Sequence, residues 1–443
     1  MKINRLFQNK GACVLGMLVF LTGFMRCETL DFTNPNSPDL SSASDQALVT
    51  GALGFMRAEL DVYLQSTITL GREGYFFEPA DPRFTGELLF GPVDAGGFLS
   101  TRPWDQAYRV IFNCNQLLER AAALSGAEAA GLEGFAKTLR AYNLLFILVY
   151  VDEDAQGRSI RTNFDGNRET PFASKTEAFD FIETDLEQGL AALNNAGASF
   201  TTFSLSSGFS GFDTPVEFAQ FNRAISARAR IYRNDFNGAL ASLNQSFLNA
   251  GGDLNAGVYH VYSTAANDRL NPVFEVPDAP GLKLHAHTSF EADAESGDLR
   301  FANKTFKRAA NDAFDGLNSD LAIILNFESG TYSSTSSVPI IRNEELILIR
   351  AEANIGLGNF AEAETDLNIV RAAAGLAGYT GTAASNALDR LLHERRYSLF
   401  GEGHRWVDMR RYGRLAELPI DRPERGDMHI TRMQIPEGEF SEQ

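Results

Sequence analysis

Two stretches of the chain, ARARIYRNDFNGA (227–239) and AEANIGLGNFAEA (351–363), align without a gap. Ala227, Ala229, Ile231, Phe236, Ala239, Leu243 and Asn244 coincide with Ala351, Ala353, Ile355, Phe360, Ala363, Leu367 and Asn368. Alanines at these positions let two antiparallel helices approach closely. A short turn containing Asn, Asp or Gly reverses the chain, and a Phe opens the second helix and plugs the groove between the two. Each copy therefore predicts a helix hairpin.

Such alternation of small and large residues is the tetratricopeptide pattern. The two copies are separated by a long insertion, residues 240–350, so a regular solenoid is excluded. The expected fold class is mostly α: a tetratricopeptide-like helical-hairpin scaffold with large irregular loop insertions and a little β. Helical periodicity appears over 45–65, 104–124, 128–151, 176–193, 215–232, 237–249, 342–357, 360–374, 384–400 and 404–415. Ser174 is a candidate cap with Glu177 in the first turn. Loop-rich insertions are expected at about 71–103, 200–212 and 255–339, the last with strand-like runs at 271–276 and 282–287. Loops carried on a rigid scaffold are where binding residues concentrate.

Composition narrows the function. With 443 residues, 44% hydrophobic and 22% charged, the chain can bury a large core and is not of the disordered class. Its net charge of -18 opposes the phosphate backbone, so nucleic acid is rejected as a partner. Three cysteines are present, Cys13, Cys27 and Cys114. Only Cys114 lies in the body, on an apolar helical pattern, and is expected to be a buried thiol. No phosphate-binding loop, nucleophile elbow or zinc-protease motif occurs. No cofactor and no metal are expected.

The N-terminus reads as an export signal. Lys2, Arg5 and Lys10 precede an apolar run over 11–25, too short for a comfortable membrane span. Cys27 follows, which predicts a signal peptide over 1–26, acylation of Cys27 and a polar tether over 27–44 ahead of one helical domain, 45–443. Arg26 stands where a small residue usually precedes an acylated Cys.

Five stretches carry a resemblance. NEELILIRAEA (343–353), GNFAEA (358–363) and LNIVR (367–371) are followed by HERRYSLFGEGHRWVDMR (393–410), and QIPEGE (434–439) lies near the end. Together they resemble the SusD/RagB family of nutrient-uptake lipoproteins. W104-x-x-A-Y108 and LRAY (139–142) are similar to its earlier helices. The resemblance implies an outer-membrane lipoprotein facing the cell exterior. Such a protein captures a glycan, or a peptide, and delivers it to a TonB-dependent SusC-like transporter without being an enzyme. Two alternatives are a glycan-degrading hydrolase on a helical scaffold, which needs two suitably spaced carboxylates, and a tetratricopeptide adaptor that binds only protein.

Sugar rings need flat apolar faces with amides and charges around them. The richest supply is 71–104, giving Tyr75, Phe76, Phe77, Arg83, Phe98 and Trp104 as ligand-binding candidates, joined by Phe209 and Phe212 from 200–212. Glu394, Arg395, Glu402, Arg405, Asp408 and Arg411 are spaced three and four apart around two glycines, and are expected to be an ion-pair network rather than a catalytic set. Asp152-x-Asp154-x-Gln156 begins like a calcium loop but lacks the acidic twelfth residue, so a solvated acidic turn is expected. His285 and His287 alternate as strand neighbours, with too few further ligands for a metal.

Overall fold

The computed structural model describes residues 43–164, 170–327 and 331–440. The signal, Cys27 and all of the tether but Ala43 and Ser44 lie outside them. The chain divides at Ser44, and every element below belongs to the unit that begins at Asp45.

Helices α1 (Asp45–Phe55) and α2 (Leu60–Leu70) lead into strand β1 (Gly74–Phe76) and the short helix α3 (Glu87–Phe90). Long helices follow: α4 (Phe98–Ala122), α5 (Gly126–Val151) and α6 (Lys175–Leu193). The first repeat is α7 (Pro215–Tyr232) and α8 (Phe236–Leu243). Next come β2 (Gly257–His260), β3 (Leu284–Ala286), α9 (Thr288–Ala292), α10 (Leu299–Lys304), β4 (Thr305–Phe314), β5 (Leu317–Ile323) and β6 (Val338–Arg342). The second repeat, α11 (Asn343–Gly356) and α12 (Phe360–Ala373), precedes α13 (Ala387–Ser398) and α14 (Arg405–Arg411).

Both hairpins turn alike. Asn234 and Gly358, aligned in the repeat, have φ of 63° and 80°, the left-handed geometry that Gly adopts freely and Asn tolerates. The amide of Asp235 donates to Arg230 O at 2.9 Å, and that of Asn359 to Asn354 O at 2.8 Å, so the closing bond is also the same. Ala227, Ala229 and Ala239 are fully buried, as are Ala351, Ala353 and Ala363. The Phe236 ring lies where a side chain on Gly356 would be, 2.4 Å from an ideal Cβ, so the plug of one hairpin seats on the other.

Helix α5 is long and apolar enough to cross a bilayer, but 83% of that window is buried inside the protein, making it the central core helix. Ser174 caps α6 through a capping box with Glu177. Cys114 is buried and free, with its thiol pushed up to about 12 by burial.

Several boundaries differ from the sequence expectation. The 45–65 segment is two helices broken at 56–59. Helix α4 begins at Phe98, inside the expected loop, with Pro103 tolerated in its early turns. The 255–339 insertion is not irregular throughout. β4 and β5 form an antiparallel hairpin, and β1, β3, β5 and β4 make a four-stranded sheet in that order. Of the strand-like runs, 282–287 contains β3 and 271–276 contains no strand. β4 escapes periodicity because it is an edge strand and mostly exposed, so no apolar alternation marks it. The usable signal is Asp315-Gly316, both at positive φ (53° and 83°), a turn that suits tight hairpins.

Candidate functional site

Strand β1 decides which aromatics face where. It pairs antiparallel with β3, Gly74 opposite Ala286 and Phe76 opposite Leu284. An ideal Cβ at Gly74 would lie 2.3 Å from His285 O, so the strands meet this closely only with glycine. Successive side chains point to opposite faces. Tyr75 and Phe77 therefore go to one side, with Leu89 and Leu317, and Phe76 goes to the other.

On Phe76's side lies an open cleft of about 520 Å³. Three segments wall it: α2 with Asp61 and Gln65, the 76–84 loop continuing to Phe98 and Arg102 on α4, and the 272–284 segment. Asp81 shapes the loop. Its side chain accepts from Arg83 N at 3.2 Å, capping the Pro82 turn, and grips the Arg83 guanidinium through Nε at 2.8 Å and Nη2 at 2.6 Å. That fixes Arg83 over the Phe98 ring, 4.3 Å from its centre, with Arg102 also over it at 5.1 Å. Phe84 bridges Phe98 (5.6 Å) and Phe76 (4.7 Å), so the aromatic wall is continuous.

The opposite wall supplies carboxyls. Glu275 accepts from the amides of Lys283 (3.1 Å) and Leu284 (2.7 Å), and Lys283 pairs with Glu78. Burial raises the carboxyls of both Glu275 and Asp61 above their usual range. An aromatic face, a clamped guanidinium and carboxyl groups around a cavity of this size suit non-covalent capture of a polar, ring-bearing ligand.

The sequence candidates thus separate. Phe76, Arg83 and Phe98 line this cleft. Tyr75 and Phe77 do not: they stack 6.0 Å apart beneath the sheet, with His287 and His285 against them, and Tyr75 Oη donates to Asp421. Trp104 is 2% exposed and packs on Tyr108 at 4.7 Å, because the helix begins before it and turns it inward. Phe209 rests on Phe218 and Phe221, and Phe212 on Phe247. As ligand contacts, Tyr75, Phe77, Trp104 and Phe212 are corrected to packing residues in this structure. Phe209 is 1% exposed and only borders a second cleft. Asp61, Gln65, Arg102, Phe274, Glu275 and Lys283 were not singled out by sequence, since no local pattern distinguishes them from other surface residues.

The C-terminal charged block forms buried ion pairs. Glu394, fully buried, takes Arg300 at 2.6 Å and Arg371 at 2.7 Å. Asp408 takes Arg395 at 2.7 Å and Arg411 at 3.0 Å, while Arg411 also pairs with Glu352. Burial alone would raise the Asp408 carboxyl, but Arg395 and Arg411 hold it well below the usual range. Glu402 takes Arg342 at 2.6 Å. Arg405 differs: it donates to Leu392 O at 3.3 Å and, chiefly through burial, is lowered to about 10.

Neither metal-like motif is arranged for a cation. Asp154 accepts from Gln156 N and Arg158 N, both at 2.9 Å, and pairs with the Arg158 side chain, while Asp152 pairs with Lys175 and Arg410. The turn is acidic but salt-bridged rather than merely solvated. His287 Nε2 is 3.1 Å from Asp421. Glu295, His393 and Glu394 cluster as potential ligands, yet Arg371 already bonds both carboxylates.

Residues 326–441 match the family model described as the SusD family. No curated protein sequence matches the chain significantly. Among solved structures, the chain is similar to a laminarin binding SusD-like protein (18% identity, TM-score 0.63, covering 89% of this chain and 96% of that one). It is likewise similar to a SusD-like carbohydrate binding protein from Bacteroides vulgatus (18%, TM-score 0.61, 82% of each chain). A surface glycan-binding protein A from Bacteroides uniformis matches at 16% identity and TM-score 0.58, over 83% and 87% of the two chains.

Proposed function

We propose, starting from a chain that carries the SusD family signature over residues 326–441 on a SusD-like fold, that this protein is a glycan-capture protein of the cell surface. The observation that carries the reading is the 520 Å³ cleft, where Phe98 lies beneath two guanidiniums in a cavity also lined by Asp61 and Glu275. A pyranose ring packs against this guanidinium–aromatic stack, and its hydroxyls bond the charged groups around it. Binding is passive, and the cargo passes on to a TonB-dependent SusC-like transporter, with acylated Cys27 as the tether to the outer membrane. The solved relatives described as laminarin or glycan binding support the ligand class, and a peptide is the second candidate.

Calorimetry of the mature body against a panel of glycans and peptides tests this. Saturable binding to a glycan that falls in Phe98→Ala is expected, and binding by no glycan sinks the reading. Asp61 and Glu275 share the cleft with raised carboxyls, the one feature a hydrolase would also need. Chromatography of the panel after long incubation separates the two, since capture leaves every glycan intact. Intact-mass analysis of the membrane-extracted protein tests acylation at Cys27. Co-purification from outer membranes tests the transporter.

A further inference from the structure

A second cleft, of about 330 Å³, lies among α1, the 204–209 loop and the segment that leaves β2, and shares no lining residue with the first. That volume is at the lower end of the roughly 300–1,000 Å³ of small-molecule sites. Two polar groups of its wall are buried. Tyr262 is 6% exposed, and its hydroxyl has no hydrogen-bond partner among the described residues. A buried polar atom left unpaired needs a reason, because burial strips its water without replacing it. His260 is held neutral: burial first, then nearby Arg57, lower it to about 3.

The charges of the wall are internally closed. Arg57 pairs with Asp268 at 2.5 Å, and Ser263 donates to Asp268 at 2.6 Å. Arg57 also bonds Val261 O and lies over the Tyr262 ring at 5.6 Å. Among the described residues no uncompensated charge lines the cleft, so an ionic ligand would have to lose its water for nothing. What remains is suited to hydroxyls: the Tyr262 hydroxyl, the neutral imidazole, Ser206 and Ser207 at the mouth, and the ring of Tyr259. We infer that this second cleft binds a neutral saccharide of one or two rings, with Tyr262 Oη and His260 as its inner hydrogen-bonding groups. The inference stands whether or not the first cleft holds a glycan.

The test uses the mature body with labelled histidine. The chain has six histidines, so the His260 ring signal is assignable by substitution. Probes are glucose, galactose, N-acetylglucosamine and the disaccharides maltose, cellobiose and laminaribiose, with glucuronate as the charged control. A neutral probe should move the His260 signal saturably. Tyr262→Phe removes only the hydroxyl and should weaken that response about tenfold, the worth of one buried hydrogen bond. Gly54→Leu should abolish it, because Gly54 lines the cleft and a Cβ there meets nothing within 4 Å, so the added side chain has room to enter the cleft. Phe98→Ala, which touches only the first cleft, should leave it unchanged. The inference is overturned if no neutral probe moves His260, if glucuronate alone does, if both Tyr262→Phe and Gly54→Leu respond like the unaltered protein, or if Phe98→Ala removes the response.

Discussion

The helical block from β6 to α14 and the clefted region built from 76–102 and 272–284 use the same residue types to opposite ends. In the first, Arg and Glu are paired out of water and bind the last helices to the second hairpin. In the second, Arg83 is clamped only by a neighbour two residues away and leaves Phe98 lining an open cavity. A paired charge without water is structural. A charge held beside an aromatic face at a cavity is available to a ligand.

The comparison breaks most sharply at Glu394. Glu394→Ala leaves Arg300 and Arg371 without their shared carboxylate and should cost about 3–5 kcal/mol in urea unfolding. A loss of less than about 1 kcal/mol would mean the block is not held by its charges. Glu73 comes next: it is buried, one oxygen accepts from Gly401 N at 3.3 Å, the other has no partner among the described residues, and burial pushes its carboxyl up to about 8. The protonated form is the stable one when folded, so this contribution is complete below pH 4.5 and fades as pH rises towards 8. Glu73→Gln, which cannot ionise, should therefore gain on the natural protein by about 1.4 kcal/mol per pH unit across that window, and stay level outside it. Thermal melts at pH 4, 6 and 8 read this, and a pH-independent difference would refute it.

Smaller effects sharpen the contrast. Gly356→Ala drives a methyl into the Phe236 ring and should destabilise by about 1–3 kcal/mol, recovered in part by Phe236→Leu. If the single change is stabilising, the hairpins do not interlock through that ring. Phe98→Ala should lower glycan affinity about tenfold and shift the unfolding midpoint little, since Phe98 is only half-buried. Calorimetry and a melt on the same sample decide whether that residue belongs with the cleft or with the core.

Legibility followed the range of the interactions. The hairpins, their short Asn, Asp or Gly turns, the α6 cap and the buried Cys114 depend on residues within a few positions of one another, and local sequence pattern reveals them. The ligand candidates fared unevenly because composition marks a loop as aromatic without saying which ring faces out. Tyr75, Phe76 and Phe77 are adjacent, and only the pairing of β1 with β3 sends one to the cleft and two beneath the sheet. The β4–β5 hairpin lacks an apolar stripe, so only its Asp315-Gly316 turn spoke for it.

By itself the sequence determined a mostly helical scaffold, a strongly negative net charge and a charged C-terminal block, because these rest on local spacing and summed charge. Only the tertiary structure decided where a ligand can enter. Glu275 comes from a part of the chain far from Asp61, Arg83 and Phe98. A cavity is a property of how distant segments pack, which no local pattern encodes.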